Sequence, residues 1–188
     1  MEESHGQGPV RKRRWPRILL TGPPRVGKTT VARRVAELFP GQAAGFYTEE
    51  VRRHGERIGF EVVTLDGRRG PLARVDFPGP HRVGKYGVDV AGFEAVALPA
   101  MVPREGLELI VIDEVGKMEC LSPAFLAALE RLWTAPVALL ATVALKGGGL
   151  IRELKTRPGV HLLTVTPANR EVLPREVLRL LLAEGSSG

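Results

Sequence analysis

Cysteine is almost missing from this chain: Cys120 stands alone among 188 residues. A single thiol excludes an intramolecular disulfide and fits a reducing compartment. Aromatic residues make up only 5% of the sequence. The basic N-terminal segment offers Trp15 alone for base stacking, so nucleic acid is not an expected partner. Long apolar runs are lacking too. The longest, Pro136 to Leu145, falls short of the about 20 residues that cross a bilayer, and no membrane association is expected. Arg11-Lys12-Arg13-Arg14 is followed by only three strongly apolar residues, Ile18 to Leu20, which is not the pattern of a secretory signal. His5, His54, His81 and His161 show no metal-ligand spacing, and there is no internal repeat. An intracellular, cytoplasmic chain is expected, with nuclear entry through the basic arm as the variant reading.

Charge is unevenly spread. The formal net charge is +6, and five cations against two acids within residues 1–17 supply half of it. Such an arm suits a nucleic-acid contact or an import signal, but a solvated terminus is the simpler reading. Hydrophobic residues at 44% and charged residues at 26% are the proportions of a globular domain able to bury a sizeable core. The expected organisation is a flexible basic arm over residues 1–16, one domain over 17–184, and a small, polar, disordered tail over 185–188. With no interface signature, a monomer is expected.

One stretch is dense in chemistry. Gly22-Pro23-Pro24-Arg25-Val26-Gly27-Lys28-Thr29 follows the run Arg17-Ile18-Leu19-Leu20-Thr21, which reads as a buried strand. It opens a helix whose apolar residues Val31, Val35, Leu38 and Phe39 share one face of a 3.6-residue period, and Pro40-Gly41 ends that helix. In a strand–loop–helix unit of this kind, backbone N–H groups and the helix N-terminus surround a phosphate. Lys28 reaches the β- and γ-phosphates, and the Thr29 hydroxyl is placed to ligate Mg²⁺. A nucleoside triphosphate is the implied ligand.

Glu108-Leu109-Ile110-Val111-Ile112-Asp113-Glu114 adds two carboxylates at the C-terminal end of an apolar strand, the edge where open α/β sheets bind ligands. Asp113 is the expected second Mg²⁺ partner. Glu114, one position on, is placed to orient or deprotonate an attacking water. The nucleotide-binding candidates are therefore Gly22, Pro23, Pro24, Arg25, Val26, Gly27, Lys28 and Thr29, with Leu109, Ile110, Val111, Ile112, Asp113, Glu114, Val115 and Gly116. Lys28 and Glu114 are the catalytic candidates. Phosphoryl transfer needs mainly positioning and charge neutralisation, so these residues nearly suffice for an NTPase.

Between the two motifs the chain does not read as helix. Phe46 to Val51 and Ile58 to Leu65 are rich in β-branched and aromatic residues around His54-Gly55-Glu56, which predicts a hairpin. Strands are expected at Leu72 to Val75 and Lys85 to Val90. A helix beginning near Phe93 is expected to bend or end at Pro99 or Pro103. Ser122-Pro123 predicts a capped helix start, with Phe125, Leu126, Leu129, Leu132 and Trp133 on its buried face. Strands at Val137 to Ala144 and Val160 to Thr166 flank a short helix from Leu150 to Lys155. A helix from Asn169 to Glu184 closes the pattern. Strand alternating with helix predicts a mostly parallel sheet flanked by helices, with an antiparallel β-hairpin insertion at about 45–76.

Thr21-Gly22-Pro23-Pro24, Gly27-Lys28-Thr29-Thr30, Gly45-Phe46-Tyr47-Thr48-Glu49-Glu50-Val51-Arg52 and Val111-Ile112-Asp113-Glu114-Val115-Gly116-Lys117-Met118-Glu119 carry a family resemblance. So do Arg57-Ile58-Gly59-Phe60, Arg82-Val83-Gly84 and Asn169-Arg170. The chain resembles the cancer-related nucleoside-triphosphatase or THEP1 family of P-loop NTPases over about residues 17 to 175. The resemblance implies a RecA-like fold and slow Mg²⁺-dependent hydrolysis of ATP, GTP, CTP and UTP to diphosphate and phosphate. It also implies a catalytic Glu beside the metal-binding Asp, and a polar γ-phosphate sensor on the neighbouring strand, where Thr142 stands. Arg25 departs from the glycine usual in the family, and its side chain is expected in solvent.

Weaker candidates remain open. Thr48 and Glu49 to Arg52 lie on the hairpin, where charges usually form the wet face. Lys117 and Glu119 are expected as a surface ion pair. Arg82, Arg152 and Arg170 are equal candidates for an arginine finger. Cys120 is expected to pack rather than react. Two alternatives to hydrolysis stand: a nucleoside or nucleotide kinase, with Arg52, Arg53 and Arg57 on a lid, or a nucleotide-dependent RNA-binding switch.

Overall fold

The computed structural model describes residues 15–185. Residues 1–14 and 186–188, which hold most of the expected arm and tail, lie outside the described residues. Nine strands form one sheet: β1 (Arg17–Thr21), β2 (Gln42–Arg53), β3 (Glu56–Thr64), β4 (Arg69–Arg74), β5 (Arg82–Val83), β6 (Tyr86–Val88), β7 (Leu107–Val115), β8 (Ala138–Val143) and β9 (Val160–Thr164). The helices are α1 (Lys28–Leu38), α2 (Val90–Ala100), α3 (Pro123–Thr134), α4 (Leu150–Thr156) and α5 (Leu173–Gly185), with a 3-10 turn at Glu119–Leu121.

The strand order is β5-β6-β4-β3-β2-β7-β8-β1-β9. The five strands from β2 to β9 in that order pair in parallel, and the other four extend the sheet by antiparallel pairing. β2 belongs to both parts. Its start pairs with β7, from Gln42 opposite Leu107 to Tyr47 opposite Asp113, while Phe46 to Arg53 form the hairpin with β3. The hairpin is thus continuous with the main sheet, because Val62, Leu72 and Ala73 bury against the same core as Phe46.

Alternation along the strands divides the interior. Leu19, Ile110, Ile112, Leu139 and Ala141 face a core covered by α2 and α3, where Phe46, Phe93 and Phe125 meet edge to face at 5.6 to 6.2 Å. Ile18, Leu20, Leu109, Val111 and Leu140 face the second core with Val31 of α1 and Val177 of α5. Three of the few aromatic rings are thereby concentrated at one point, where their area is most effective.

Local signals set the helix ends. Gly27 caps α1 at φ 110°, a left-handed conformation that favours glycine. The buried stripe of α1 is Val31, Ala32 and Val35; Leu38, expected on that face, is 40% exposed. The Asp89 carboxyl accepts the Gly92 N–H, starting α2 earlier than Phe93. Pro99 is accommodated within the last turn. Ser122 caps α3 by accepting the Phe125 N–H at 2.9 Å. The final helix begins at Leu173 rather than Asn169. Asn169 instead closes a turn with Thr166, whose N–H it accepts at 2.8 Å. Pro174 then sits in the first turn, where its missing N–H is harmless.

The basic arm ends sooner than its charge pattern suggests. The Leu139 N–H donates to Pro16 O at 2.9 Å, joining Pro16 to the sheet. Arg17 is buried, and its guanidinium donates to the carbonyls of Trp15, Pro16, Trp133, Ala135 and Val137. It staples β1 to the segment between α3 and β8.

Candidate active site at the sheet edge

β8 lies between β1, which feeds the Gly22–Thr29 loop, and β7, which carries the two carboxylates. Parallel pairing brings all three C-terminal ends to one edge. Within the loop, Lys28 is buried and its Nζ donates to Gly22 O at 3.0 Å and Pro23 O at 3.2 Å. The ammonium is therefore held inside the curve of the loop. Pro23, Pro24 and Arg25 are exposed, while Val26 packs into the core. Arg25 adopts φ 63° with its side chain in solvent.

Asp113 is 2% exposed. Thr142 Oγ1 donates to its Oδ1 at 2.5 Å, and the Thr29 hydroxyl also hydrogen-bonds its carboxyl. Burial pushes the Asp113 pKa up, while the two hydroxyls and the Lys28 charge pull it down. Glu114 follows across a cis peptide bond and is half-buried. Burial raises its pKa first, the neighbouring Asp113 raises it further, and Lys28 opposes both. Hydroxyl, ammonium and carboxylates thus converge on one small region.

The other strand candidates lie elsewhere. Leu109, Ile110, Val111, Ile112 and Val115 are at most 1% exposed and pack into the two cores. They position the strand end; only Asp113, Glu114 and Gly116 reach the edge. Thr142, the implied γ-phosphate sensor, lies on β8 next to β7, and its hydroxyl donates to Asp113. Of the three arginines, Arg170 lies against the phosphate loop, its Cδ 3.5 Å from where a Cβ on Gly27 would stand. Arg82 on β5 donates to Lys85 O at 2.8 Å, seven inter-strand steps from β1, or about 30 Å. Arg152 is exposed on α4.

Glu49 and Glu50 of the hairpin are paired, Glu50 within the hairpin and Glu49 with arginines of α1 and β4. Glu49 meets Arg33 and Arg69, and Glu50 meets Arg52 and Arg57. Cys120 packs against the core and burial raises its pKa to about 11, so it is not a poised nucleophile.

Sequence reasoning missed three residues. Arg33 stands one turn beyond Thr29 on α1, with its guanidinium 4.3 Å from the Tyr47 ring centroid and its charge felt at Asp113. The i, i+4 spacing from Thr29 was the available signal. Lys155 donates to Ala144 O at 2.6 Å and Leu145 O at 2.8 Å beyond the end of β8; burial lowers its pKa and the Lys28 charge lowers it further. Nothing local marked it. Glu119, expected as the partner of exposed Lys117, is instead buried at 4% exposure, and its pKa is raised to about 8, chiefly by desolvation. The 3-10 turn rotates it inward, which its charge alone does not suggest. Among the described residues, no group of three or more His, Cys, Asp or Glu is placed to hold a metal by itself. No described helix is long and apolar enough to cross a membrane.

A phosphate loop and a carboxylate strand separated by one intervening parallel strand define a RecA-like P-loop NTPase. The sequence matches the family model described as NTPase over residues 17–178, and the chain belongs to that family. It is 41% identical over 167 residues to the nucleoside-triphosphatase THEP1 of Thermotoga petrophila, covering 88% of this chain and 92% of that one. It is 40% identical over 178 residues to the cancer-related nucleoside-triphosphatase of Homo sapiens, covering 86% and 94%. The crystal structure of THEP1 from Aquifex aeolicus superposes with a TM-score of 0.80 at 35% identity, over 88% of this chain and 98% of that one.

Proposed function

We propose that this chain hydrolyses nucleoside triphosphates to the diphosphate and phosphate with Mg²⁺, Glu114 activating the attacking water. The observation that carries this reading is the convergence of Asp113 and Glu114 with Lys28 and Thr29 at one sheet edge. Hydrolysis as such agrees with the NTPase family and with the names of its relatives.

The residues fit a divalent cation. Asp113 is a buried carboxylate hydrogen-bonded by the Thr142 and Thr29 hydroxyls, with the Lys28 and Arg33 charges farther off. A hard oxygen pair from Thr29 and Asp113 suits Mg²⁺, which keeps several waters and takes its remaining ligands from phosphate. Thr29 and Asp113 would hold the ion, which would supply charge neutralisation to the phosphates.

Lys28 supplies the fixed positive charge within the loop. The Glu114 carboxylate accepts a proton from water as the water oxygen bonds to the γ-phosphorus. The bond to the β–γ bridging oxygen breaks, and the diphosphate leaves with its electron pair. Arg170 beside Gly27 is the arginine we assign to the nucleotide, and a guanidinium that stacks on any base suits broad base tolerance. We further propose a monomer acting inside the cell on this substrate without nucleic acid.

Phosphate release from ATP, GTP, CTP and UTP with Mg²⁺, for the native chain beside Glu114→Ala, tests the reading. The expected result is release from several nucleotides by the native chain. Glu114→Ala binds nucleotide but turns over about a hundredfold more slowly, the usual scale for a lost general base. Negligible native release, an unimpaired variant, or an acceptor phosphorylated faster than phosphate is freed would overturn it.

A further inference from the structure

The turn that leaves β7 brings a second glutamate up behind the first. Glu119 opens the 3-10 turn, and its carboxyl accepts backbone N–H groups from Gly116 and from its own residue. Cys120 N–H donates to Gly116 O at 3.0 Å, closing the same turn. Gly116 is the contact point between the two glutamates. A methyl group on it would lie 2.7 Å from Glu119 Oε2 and 3.0 Å from Glu114 Oε1. Both carboxyl groups therefore flank one Cα, and any larger residue there would push them apart.

Burying a carboxyl costs free energy unless its oxygens are satisfied, and here the charges of Glu114 and Asp113 add to that cost. An apolar side chain at this buried position would avoid that conflict. A local choice that opposes stability, placed behind a catalytic candidate, is the pattern of a functional site.

We propose that Glu119 is a positioning residue for hydrolysis: anchored by the Gly116 N–H, its carboxyl holds the turn and aims Glu114 at the attacking water. The inference rests on the hydrolytic reading of Glu114. Glu119 does not touch the nucleotide; it acts through its neighbour. Misplacement of a reacting group by about 1 Å costs on the order of a hundredfold in rate, so a lost anchor is large enough to measure.

The test is a double-mutant cycle read by single-turnover phosphate release from ATP and by the KM for ATP. Glu119→Leu is expected to lower kcat by about tenfold or more with little change in KM. Glu119→Gln, which still accepts the Gly116 N–H, is expected to retain most of the native rate. In a Glu114→Ala background, Glu119→Leu is expected to have no further effect. If the Leu variant does not fold, Glu119→Asp replaces it; its shorter side chain does not reach Gly116, and it is expected to lose rate in the same way. Equal losses in both backgrounds, unchanged kcat in Glu119→Leu or its Asp replacement, or a change confined to KM would each overturn the inference. A normal Glu114→Ala with impaired Glu119 variants would overturn the hydrolytic reading and this inference together. An impaired Glu114→Ala with normal Glu119 variants overturns this inference alone.

Discussion

Thr142 Oγ1 donates to Asp113 Oδ1 at 2.5 Å between adjacent parallel strands, with both side chains buried. Asp113 sits where burial favours its neutral form, and the hydroxyl of Thr142 is the first influence opposing that. The bond thus favours the ionised carboxylate and fixes its orientation. A hydrogen bond to a charged group contributes about 1.5–3 kcal/mol. Thr142→Val, which keeps the shape and removes the donor, should lower kcat by about tenfold or more and raise the Mg²⁺ concentration needed for half-maximal rate. Mg²⁺ titration of both proteins checks this, and an unchanged titration would place Thr142 in a packing role.

Glu119 makes stability depend on pH in a direction opposite to most carboxylates. Its folded pKa of about 8 lies above the ordinary 4.5, so the folded state binds the proton more tightly than the unfolded chain. Its contribution is full below pH about 4.5 and is lost as pH rises to about 8. The nucleotide-free protein should therefore lose Tm across this range, and Glu119→Gln should lose less. Parallel curves for the two proteins would show that the carboxyl stays ionised in the fold.

Arg17 works through structure. Replacing it with Ala leaves five carbonyls without their shared donor and should cost about 2–4 kcal/mol, the range for a broken buried network. Urea unfolding measures the loss. The rate of phosphate release well below the transition should be unaffected, because the guanidinium lies at the opposite end of β1 from the phosphate loop.

Arg25 holds a left-handed conformation at φ 63° in the exposed part of the loop. Such a conformation costs a residue with a Cβ about 1–2 kcal/mol, partly offset by the extra unfolded-state freedom of glycine. Arg25→Gly should raise stability by up to about 1 kcal/mol with the KM for ATP little changed. A weaker affinity would assign the guanidinium to the phosphates.

Arg170 and Arg82, equivalent by residue type, should separate in kinetics. Arg170→Ala, beside Gly27, should lower kcat/KM by about tenfold or more. Arg82→Ala, tied to Lys85 O at the far margin of the sheet, should stay within about twofold of native. Comparable losses from both would mean the sheet margin folds over the site.

The phosphate loop, the carboxylate strand, the hairpin and the Ser122 cap were legible in the sequence because each is local. Periodicity marks a buried face, and glycine, proline and capping residues mark where an element starts or stops. Local pattern alone did not locate the start of α5, where side-chain bonds between Thr166 and Asn169 compete with helix. Leu38 kept its periodicity and still faces solvent, since only the packed partner decides how wide a stripe is covered.

Which charges are buried was decided by tertiary structure. Arg17 stood at the start of a run read as a buried strand, and the fold supplies the carbonyls that hold its guanidinium inside; Glu119 looked like half of a surface pair and is buried too. Strand order also lay beyond the one-dimensional pattern: β8 enters between β1 and β7, which brings Thr142 to Asp113, and β9 pairs with the other side of β1, after which Arg170 lies beside Gly27. The sequence by itself determined the chemistry present in this protein, because side-chain type and local backbone preference are properties of short segments. The fold alone decided which of those groups meet, and in what dielectric, because both depend on segments distant in the chain.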